Sequence, residues 1–227
     1  MATPLITVTQ LRLFAPRCDY LAIAPHLSAA CAEASIDTPR ELRHFMSQTH
    51  HESQGFTRWV ENLSWSTPER LDAFFASVRG TADAKALIAK GPQAIANRIY
   101  AGKGGNRDEA SGDGWRFRGR SPIQLSLRAN YVLAKAWTGV DLVKHPELAS
   151  GFQLGCRIAA LWWRANGLNE IVAADPGERA SIELIDARIT ANEIDDALQA
   201  TRRINGGKNG LDDRIRKLRL AATIWRD

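Results

Sequence analysis

The stretch "TPRELRHFMSQTHHE" (38–52) constrains the fold most strongly, because it carries both the start signal and the packing pattern of a helix. Thr38 is a typical N-cap, Pro39 suits the first helical position, and Glu41 falls in the first turn. The apolar side chains follow the i, i+3, i+4, i+7 spacing of one buried stripe: Leu42, Phe45, Met46 and Thr49. The stretch therefore predicts an amphipathic helix that packs on a core and ends near Glu52.

Similar helical spacing recurs along the chain. It predicts a short helix capped by Thr7 or Thr9, a helix around Pro25, a helix that begins near Ser126, and helices over 67–78, 91–100, 152–167, 190–205 and 211–225. The glycine-rich stretch 101–120 cannot form a regular helix. Arg116, Arg118 and Arg120 alternate within it, which predicts a short strand with the arginines on one face. The expected fold class is mainly α, with a short β and glycine-rich region near 101–120.

Composition limits the classes of protein and partner. The 227 residues are 44% hydrophobic and 24% charged, as in an ordinary globular protein. A net charge of +5 and a pI near 9.4 favour an anionic partner, which could be nucleic acid, a membrane surface or an acidic polymer such as a bacterial wall. Cys18, Cys31 and Cys156 are odd in number and lack C-x-x-C spacing, so buried reduced thiols are expected.

The beginning of the sequence lacks a basic segment followed by a long apolar run. We therefore expect no signal peptide, synthesis in the cytoplasm and no stable membrane insertion. A substrate outside the cytoplasm would require release of the protein by a holin or by lysis.

Two glutamates, Glu52 and Glu61, lie in an aromatic setting with two histidines nearby. At about 100° per residue, Glu52 falls on the edge of the buried stripe, where a carboxylate is half desolvated. It could equally be an exposed acid of the last helical turn. A zinc helix needs H-E-x-x-H, but Gly55 stands where the second histidine would be, so no metal is expected.

The other motifs leave alternatives open. The glycine-rich stretch lacks the phosphate-binding and calcium-binding spacings, and we interpret it as a shaped surface loop. The three arginines could be a solvated strand face, a contact to a polymer, or a clamp on a carboxylate. The basic stretch 201–226 could suggest nucleic-acid binding. Because its charges lie opposite an apolar stripe, an ordinary amphipathic helix is favoured and no nucleic-acid partner is expected.

Four motifs in this order resemble glycoside hydrolase family 19, which includes plant-type chitinases and many phage endolysins. They are "HES-GF" with "VENLSWS", "GDGWRFRGR", "PIQLS-RANY" and "INGG-NGLDDR", and they cover more than two-thirds of the chain. The short interval between Glu52 and Glu61 is similar to the bacterial and phage branch. Related endolysins usually read R-G-R-G, whereas Ser121 and Pro122 follow Arg120 here, which could alter the cleft floor.

The resemblance implies a lysozyme-like fold of two helical lobes that flank a substrate cleft, within a single catalytic domain over 1–227 and without a wall-binding module. It implies Glu52 as general acid, Glu61 as general base and Ser126 as the hydroxyl that helps hold the attacking water. Further substrate-binding or tuning residues are expected at His51, Trp65, Tyr100, Arg120, Gln124, Asn130, Tyr131, Asn205 and Arg214. An inverting mechanism would place the two carboxyls roughly 6.5–9.5 Å apart.

The leading functional hypothesis is a peptidoglycan muramidase that cuts between N-acetylmuramic acid and N-acetylglucosamine. A chitinase is the close alternative, and an inactive sugar-binding protein is a third. No cofactor is expected, the partner is a polysaccharide, and the protein is expected to be a monomer.

Overall fold

The computed structural model describes residues 5–173, 184–186 and 189–226. Over these residues the protein is mostly helical, with one two-stranded antiparallel sheet. The chain divides into two compact units. Unit 1 contains Met1–Trp59, Ser121–Ile123 and Gly151–Asp227, and unit 2 contains Val60–Arg120 and Gln124–Ser150. The predicted mainly helical fold class is confirmed.

Unit 1 is built from helices that precede and follow unit 2 in the sequence. Its elements are α1 (Val8–Phe14), α2 (Tyr20–Glu33), α3 (Pro39–Glu52), α9 (Phe152–Ala165), α10 (Leu168–Val172), β1 (Leu184–Asp186), β2 (Ile189–Thr190), α11 (Ala191–Asn205) and α12 (Leu211–Ile224). In the sheet, Leu184 pairs with Thr190 and Asp186 with Ile189.

Helix α3 forms as the sequence predicts. Thr38 and Glu41 form a reciprocal capping box, with Pro39 in the first turn. All four residues of the predicted stripe are buried: Leu42, Phe45, Met46 and Thr49. The Phe45 ring also meets Trp163 of α9 edge-on, at 5.6 Å between centroids. Helix α3 is therefore a central element of unit 1, and it positions Glu52 at its end.

Helices α11 and α12 pack beside α3 through apolar contacts and a buried ion pair. The Arg43 guanidinium donates to Glu193 Oε1 at 2.9 Å, and the two side chains are only 5% and 3% exposed. Gly206 ends α11 in the left-handed conformation, as the Asn-Gly-Gly sequence predicts. On α12, Leu218 and Ala222 are buried, as is Trp225 at its C-cap, whereas Leu211 and Ile215 are only partly buried.

Unit 2 has a smaller apolar core of its own. Its elements are α4 (Pro68–Phe74), α5 (Thr81–Lys90), α6 (Pro92–Tyr100), a 3₁₀ turn (Glu109–Ser111), α7 (Asp113–Arg116), α8 (Arg128–Thr138) and a second 3₁₀ turn (Pro146–Ser150). Leu63, Leu71, Leu87, Ile95 and Ile99 form much of its buried cluster. Helix α5 was not among the predicted helices.

The predicted strand of alternating arginines is wrong. Arg116 instead ends the short helix α7, and its guanidinium donates to the carbonyls of Val143 and Lys144 at 3.0 Å. The Arg118 guanidinium lies 3.7 Å over the Trp115 ring. The three arginines therefore point to different partners. Only isolated bridges, which join Arg120 to Val60 and to Leu125, occur at the end of this stretch.

Two helix boundaries also differ from the prediction. Helix α4 ends at Phe74, and no hydroxyl cap forms at Thr67. Helix α9 ends at Ala165 with Asn166 as its C-cap, and Gly167 instead starts α10 in the left-handed conformation.

The three cysteines are buried free thiols, as predicted. Burial raises the pKa of Cys18 to about 11. Among the described helices, none has the length and apolar character needed to span a bilayer.

Candidate active site

Glu52 is the last residue of α3 in unit 1, and it contacts a buried arginine. Its side chain is 18% exposed, so it is half-buried as predicted, whereas that of Arg214 is 1% exposed. Arg214 Nη2 donates to Glu52 Oε1. Arg214 also donates to Gln48 Oε1 at 2.5 Å and to the Asn209 carbonyl at 3.3 Å. Glu52 Oε2 has no hydrogen-bond partner in the described part of the chain, so one carboxyl oxygen is held and the other is free.

A tight turn follows Glu52. Gln54, Gly55 and Phe56 all have positive φ, between 52° and 73°. The ring of His50 packs edge-on against Phe14 at 5.0 Å and against Phe56 at 6.2 Å. Burial is the main effect that lowers the pKa of His50 to about 4. This histidine is therefore neutral and packs as a core residue beside the turn.

His51 also connects α3 to α12. Its Nδ1 lies 2.8 Å from Asp213 Oδ2. Burial raises the pKa of Asp213, but hydrogen bonds from His51 and Arg216 outweigh it and lower the pKa overall. A Cβ atom at Gly210 would lie 2.2 Å from the His51 ring, so only glycine allows this approach. Adjacent pairs, His51 with Asp213 and Glu52 with Arg214, thus fix the end of α3.

In unit 2, both oxygens of Glu61 accept hydrogen bonds. The Tyr100 hydroxyl donates to Oε1 at 2.7 Å, and the Gly119 amide donates to Oε2 at 3.0 Å. The Glu61 amide in turn donates to the Gly119 carbonyl at 2.8 Å. Burial and the charge of Glu61 raise the pKa of Tyr100, so its hydroxyl stays protonated and remains a donor. This arrangement fixes the orientation of the Glu61 carboxyl group.

Gly119 is closely packed against Glu61 and Gln124. An added Cβ would lie 2.8 Å from Gln124 Oε1 and 3.2 Å from Glu61 Cβ. The next residue, Arg120, is 4% exposed. It donates to the Arg116 carbonyl at 2.9 Å and to the Tyr131 hydroxyl at 2.7 Å. Arg120 and Tyr131 therefore brace the loop that carries Gly119 from inside unit 2.

Ser126 lies between two strained backbone positions. Gln124 and Leu127 have φ of 54° and 72°, which side chains rarely adopt. Asn130 Nδ2 donates to the Ser126 carbonyl at 2.8 Å and ties the residue to α8. The Ser126 hydroxyl has no partner among the described residues, so it is available to a ligand. Strain of this kind often marks a functional position.

The two remaining predicted residues occupy different surroundings. Asn205 spans the loop between α11 and α12: its Nδ2 donates to the Asn209 carbonyl at 3.0 Å, and its Oδ1 accepts from the Gly207 amide at 2.9 Å. It thereby shapes the loop whose Asn209 carbonyl holds Arg214. Trp65 is partly buried in unit 2, against Phe74 and Phe75.

Three contact residues were missed from the sequence. Gln48 lies one helical turn before Glu52, and this i, i+4 spacing could have indicated it. Asp213 adjoins Arg214 within "GLDDR" but carries no separate signal. Gly119 contributes only its backbone amide, which no side-chain pattern can reveal. Within the described part of the chain, no group of three or more His, Cys, Asp or Glu residues could hold a metal ion.

Comparison with known proteins places this helical chain within a class of glycosidases. No family model matches the sequence. A Haemophilus influenzae protein described as a glycosyl hydrolase family 19 domain-containing protein is 34% identical over 193 residues, which cover 85% of this chain and 84% of the relative. The chain therefore belongs to glycoside hydrolase family 19 and is a glycoside hydrolase.

Solved structures agree at the level of the fold. Chitinase C from Streptomyces griseus HUT6037 matches with a TM-score of 0.58 and 19% identity, over 99% of this chain and 78% of that one. A bacterial family 19 chitinase matches with a TM-score of 0.55 and 16% identity, over 97% of this chain and 95% of that one. At this identity the similarity establishes the helical architecture alone.

Proposed function

We propose that this glycoside hydrolase is a peptidoglycan muramidase that uses Glu52 as general acid and Glu61 as general base. Hydrolysis with inversion needs one protonated carboxyl at the leaving oxygen and one ionised carboxylate that activates water. The observation that carries the proposal is the unequal bonding of the two glutamates. One oxygen of Glu52 is free, whereas both oxygens of Glu61 accept hydrogen bonds.

The free oxygen of Glu52 suits proton donation. Glu52 Oε2 can carry the proton while Oε1 remains held by Arg214. A carboxyl that is held through one oxygen and open at the other can present its proton to the leaving oxygen and regain it in each turnover.

Donors on both oxygens of Glu61 suit a base. They stabilise the carboxylate while leaving further lone pairs to accept a proton from water. The unbonded hydroxyl of Ser126 is suited to help hold that water, as the family resemblance implies. The water attacks the anomeric carbon, the glycosidic bond breaks with proton transfer from Glu52, and a β-linkage yields an α-anomer.

The charge of the chain favours a wall substrate over chitin. At +5 the protein is attracted to an anionic polymer, and this attraction falls with salt. Chitin is neutral and offers no such attraction. A chitinase is the second candidate, because the similar solved structures are described as chitinases.

Product analysis separates the two candidates. Purified protein is added to permeabilised Gram-negative cells and to colloidal chitin, and soluble products are identified by mass spectrometry. We expect lysis of the cells, with new reducing ends on N-acetylmuramic acid that appear first as the α-anomer. Reducing ends on N-acetylglucosamine or cleaved peptide stems would exclude a muramidase. Robust chitin hydrolysis without lysis would establish the chitinase alternative.

Matched glutamine variants test the roles of the carboxylates. Glu52→Gln and Glu61→Gln should each lose turnover while keeping the helical circular dichroism spectrum, because an amide can neither donate the proton nor act as the base. Glu69→Gln, at an exposed position of α4, is the control and should retain full activity. Turbidity loss by Glu52→Gln at the rate of the unmodified enzyme would refute its role as acid.

A further inference from the structure

A groove with the chemistry of a sugar-binding subsite directly follows Glu61 in the chain. It encloses about 240 Å³ and is lined by Asn62, Ser64, Trp65, Ser66, Thr67 and Arg70. Hydroxyl and amide groups thus surround one large aromatic side chain. An aromatic face with a few polar groups around it is a common design for binding a small polar ligand.

The apolar surface extends beyond the groove. Phe74, at the end of α4, is 67% exposed and its ring centroid lies 5.6 Å from that of Trp65. Phe75 packs edge-on against the same tryptophan at 5.6 Å. Trp65 and Phe75 also pack on the buried cluster of unit 2, which holds the aromatic surface rigid. Phe74 therefore extends the aromatic surface of the groove beyond Trp65.

Arg70 provides a positive charge in the same groove. It is exposed, and it has no ion-pair or hydrogen-bond partner among the described residues. Two other arginines of unit 2 are engaged in ion pairs instead: Arg98 pairs with Asp83 and Glu109, and Arg107 pairs with Asp113. An unengaged guanidinium beside an aromatic wall is suited to a ligand that combines a ring with a carboxylate.

We propose that this groove binds a muramyl unit of peptidoglycan, which carries a carboxylate on its lactyl group where no peptide stem is attached and on the stem where one is. Trp65 contacts the sugar ring, Phe74 widens the apolar surface, and Arg70 pairs with the carboxylate. The proposal rests on the proposed function and specifies how the same enzyme distinguishes an anionic glycan from neutral chitin.

Binding, rather than turnover, tests the groove. All variants carry Glu52→Gln to suppress hydrolysis, and calorimetry measures their Kd for soluble peptidoglycan fragments and for chitohexaose at low salt. Arg70→Gln should weaken binding of the fragments by up to about fivefold, as expected for an exposed ion pair, and leave chitohexaose unchanged. Phe74→Ala should weaken binding of both ligands by about two- to tenfold.

Two controls isolate the groove from general effects. Arg79→Gln removes the same charge from an exposed position of unit 2 outside the groove, and Leu148→Ala truncates another exposed apolar side chain. Neither substitution should change the ratio of the Kd for peptidoglycan fragments to the Kd for chitohexaose. Equal effects of Arg70→Gln and Arg79→Gln, or an equal loss for both ligands in Arg70→Gln, would overturn the anionic subsite.

The proposed function can fail separately. If the unmodified enzyme hydrolyses chitin but not peptidoglycan, the muramidase assignment is wrong. The calorimetry still decides the groove, because it compares affinities without any turnover. Two results together would show that the aromatic surface binds protein instead of sugar. The Kd of Phe74→Ala would be unchanged for both ligands, and the same substitution would convert a dimer to a monomer in size-exclusion chromatography.

Discussion

Replacing Tyr100 with phenylalanine removes one of the two donors to Glu61 and leaves the apolar ring in place. The hydroxyl donates to Glu61 Oε1 at 2.7 Å, and burial and the nearby charge of Glu61 keep it protonated. A hydrogen bond to a charged group contributes about 1.5–3 kcal/mol. At about 1.4 kcal/mol per tenfold change, its loss corresponds to a reduction in rate of roughly 10- to 150-fold.

The reduction should fall on the chemical step. The Gly119 amide still holds the other oxygen of Glu61, so the carboxyl group keeps one of its two side-chain hydrogen bonds. A decrease in kcat with little change in KM is expected, because Tyr100 acts through Glu61.

The assay measures kcat and KM on soluble peptidoglycan fragments, or on chitohexaose if the enzyme prefers it. Tyr20→Phe removes a hydroxyl that has no hydrogen-bond partner among the described residues, and it should behave like the unmodified enzyme. A kcat and a KM of Tyr100→Phe that both equal those of the unmodified enzyme would refute the reasoning. A rise in KM at unchanged kcat would instead assign Tyr100 to sugar binding.

Three further outcomes follow from the structure. Arg214→Leu should lower the free energy of unfolding by about 3–5 kcal/mol in urea titrations, because it leaves a half-buried carboxylate unpaired. The control Arg216→Leu, at an exposed position, should lower it by less than about 1 kcal/mol. Similar values for both variants would contradict this view. Thermal stability should fall as the pH drops from about 6.5 toward 4. Burial lowers the pKa of His44 to about 3 and that of His50 to about 4. In this pH range the unfolded chain therefore binds protons that the native state does not. His44→Leu should flatten this decline in calorimetric melting temperature, and an unchanged slope would argue against it. Dialysis against EDTA should leave hydrolysis intact, and a loss that zinc restores would indicate a metal site.

Local signals in the sequence were sufficient for several elements of the fold. The Thr38 cap, the proline after it and the apolar stripe of α3 act within a few residues of one another, and the structure contains each of them. The end of α11 at Gly206 also follows from a local signal, because glycine adopts positive φ without a steric cost. The four ordered motifs also identified the family, which the Haemophilus influenzae relative confirms.

The period-two alternation of the arginines led to a wrong prediction, because side-chain contacts rather than local propensity set the backbone conformation there. The alternating arginines predicted a strand, but Arg116 ends a helix, Arg118 stacks on Trp115, and Arg120 is buried against Tyr131. Arg116 is held by the distant carbonyls of Val143 and Lys144, whereas Arg118 is held by a ring three residues earlier in the chain. Neither kind of contact leaves a period of two in the sequence. The same limitation hid α5, whose moderately apolar surface packs mainly on its neighbours in unit 2.

The sequence by itself determined that this chain is a helical glycoside hydrolase with Glu52 and Glu61 as its candidate carboxylates. Only the tertiary structure decided how each carboxylate is held. Arg214 reaches Glu52 from α12, far along the chain, and Gly119 reaches Glu61 through a backbone amide. The physical reason is that local propensities set where helices begin and end, whereas the electrostatic environment of a carboxylate depends on groups brought close only by folding.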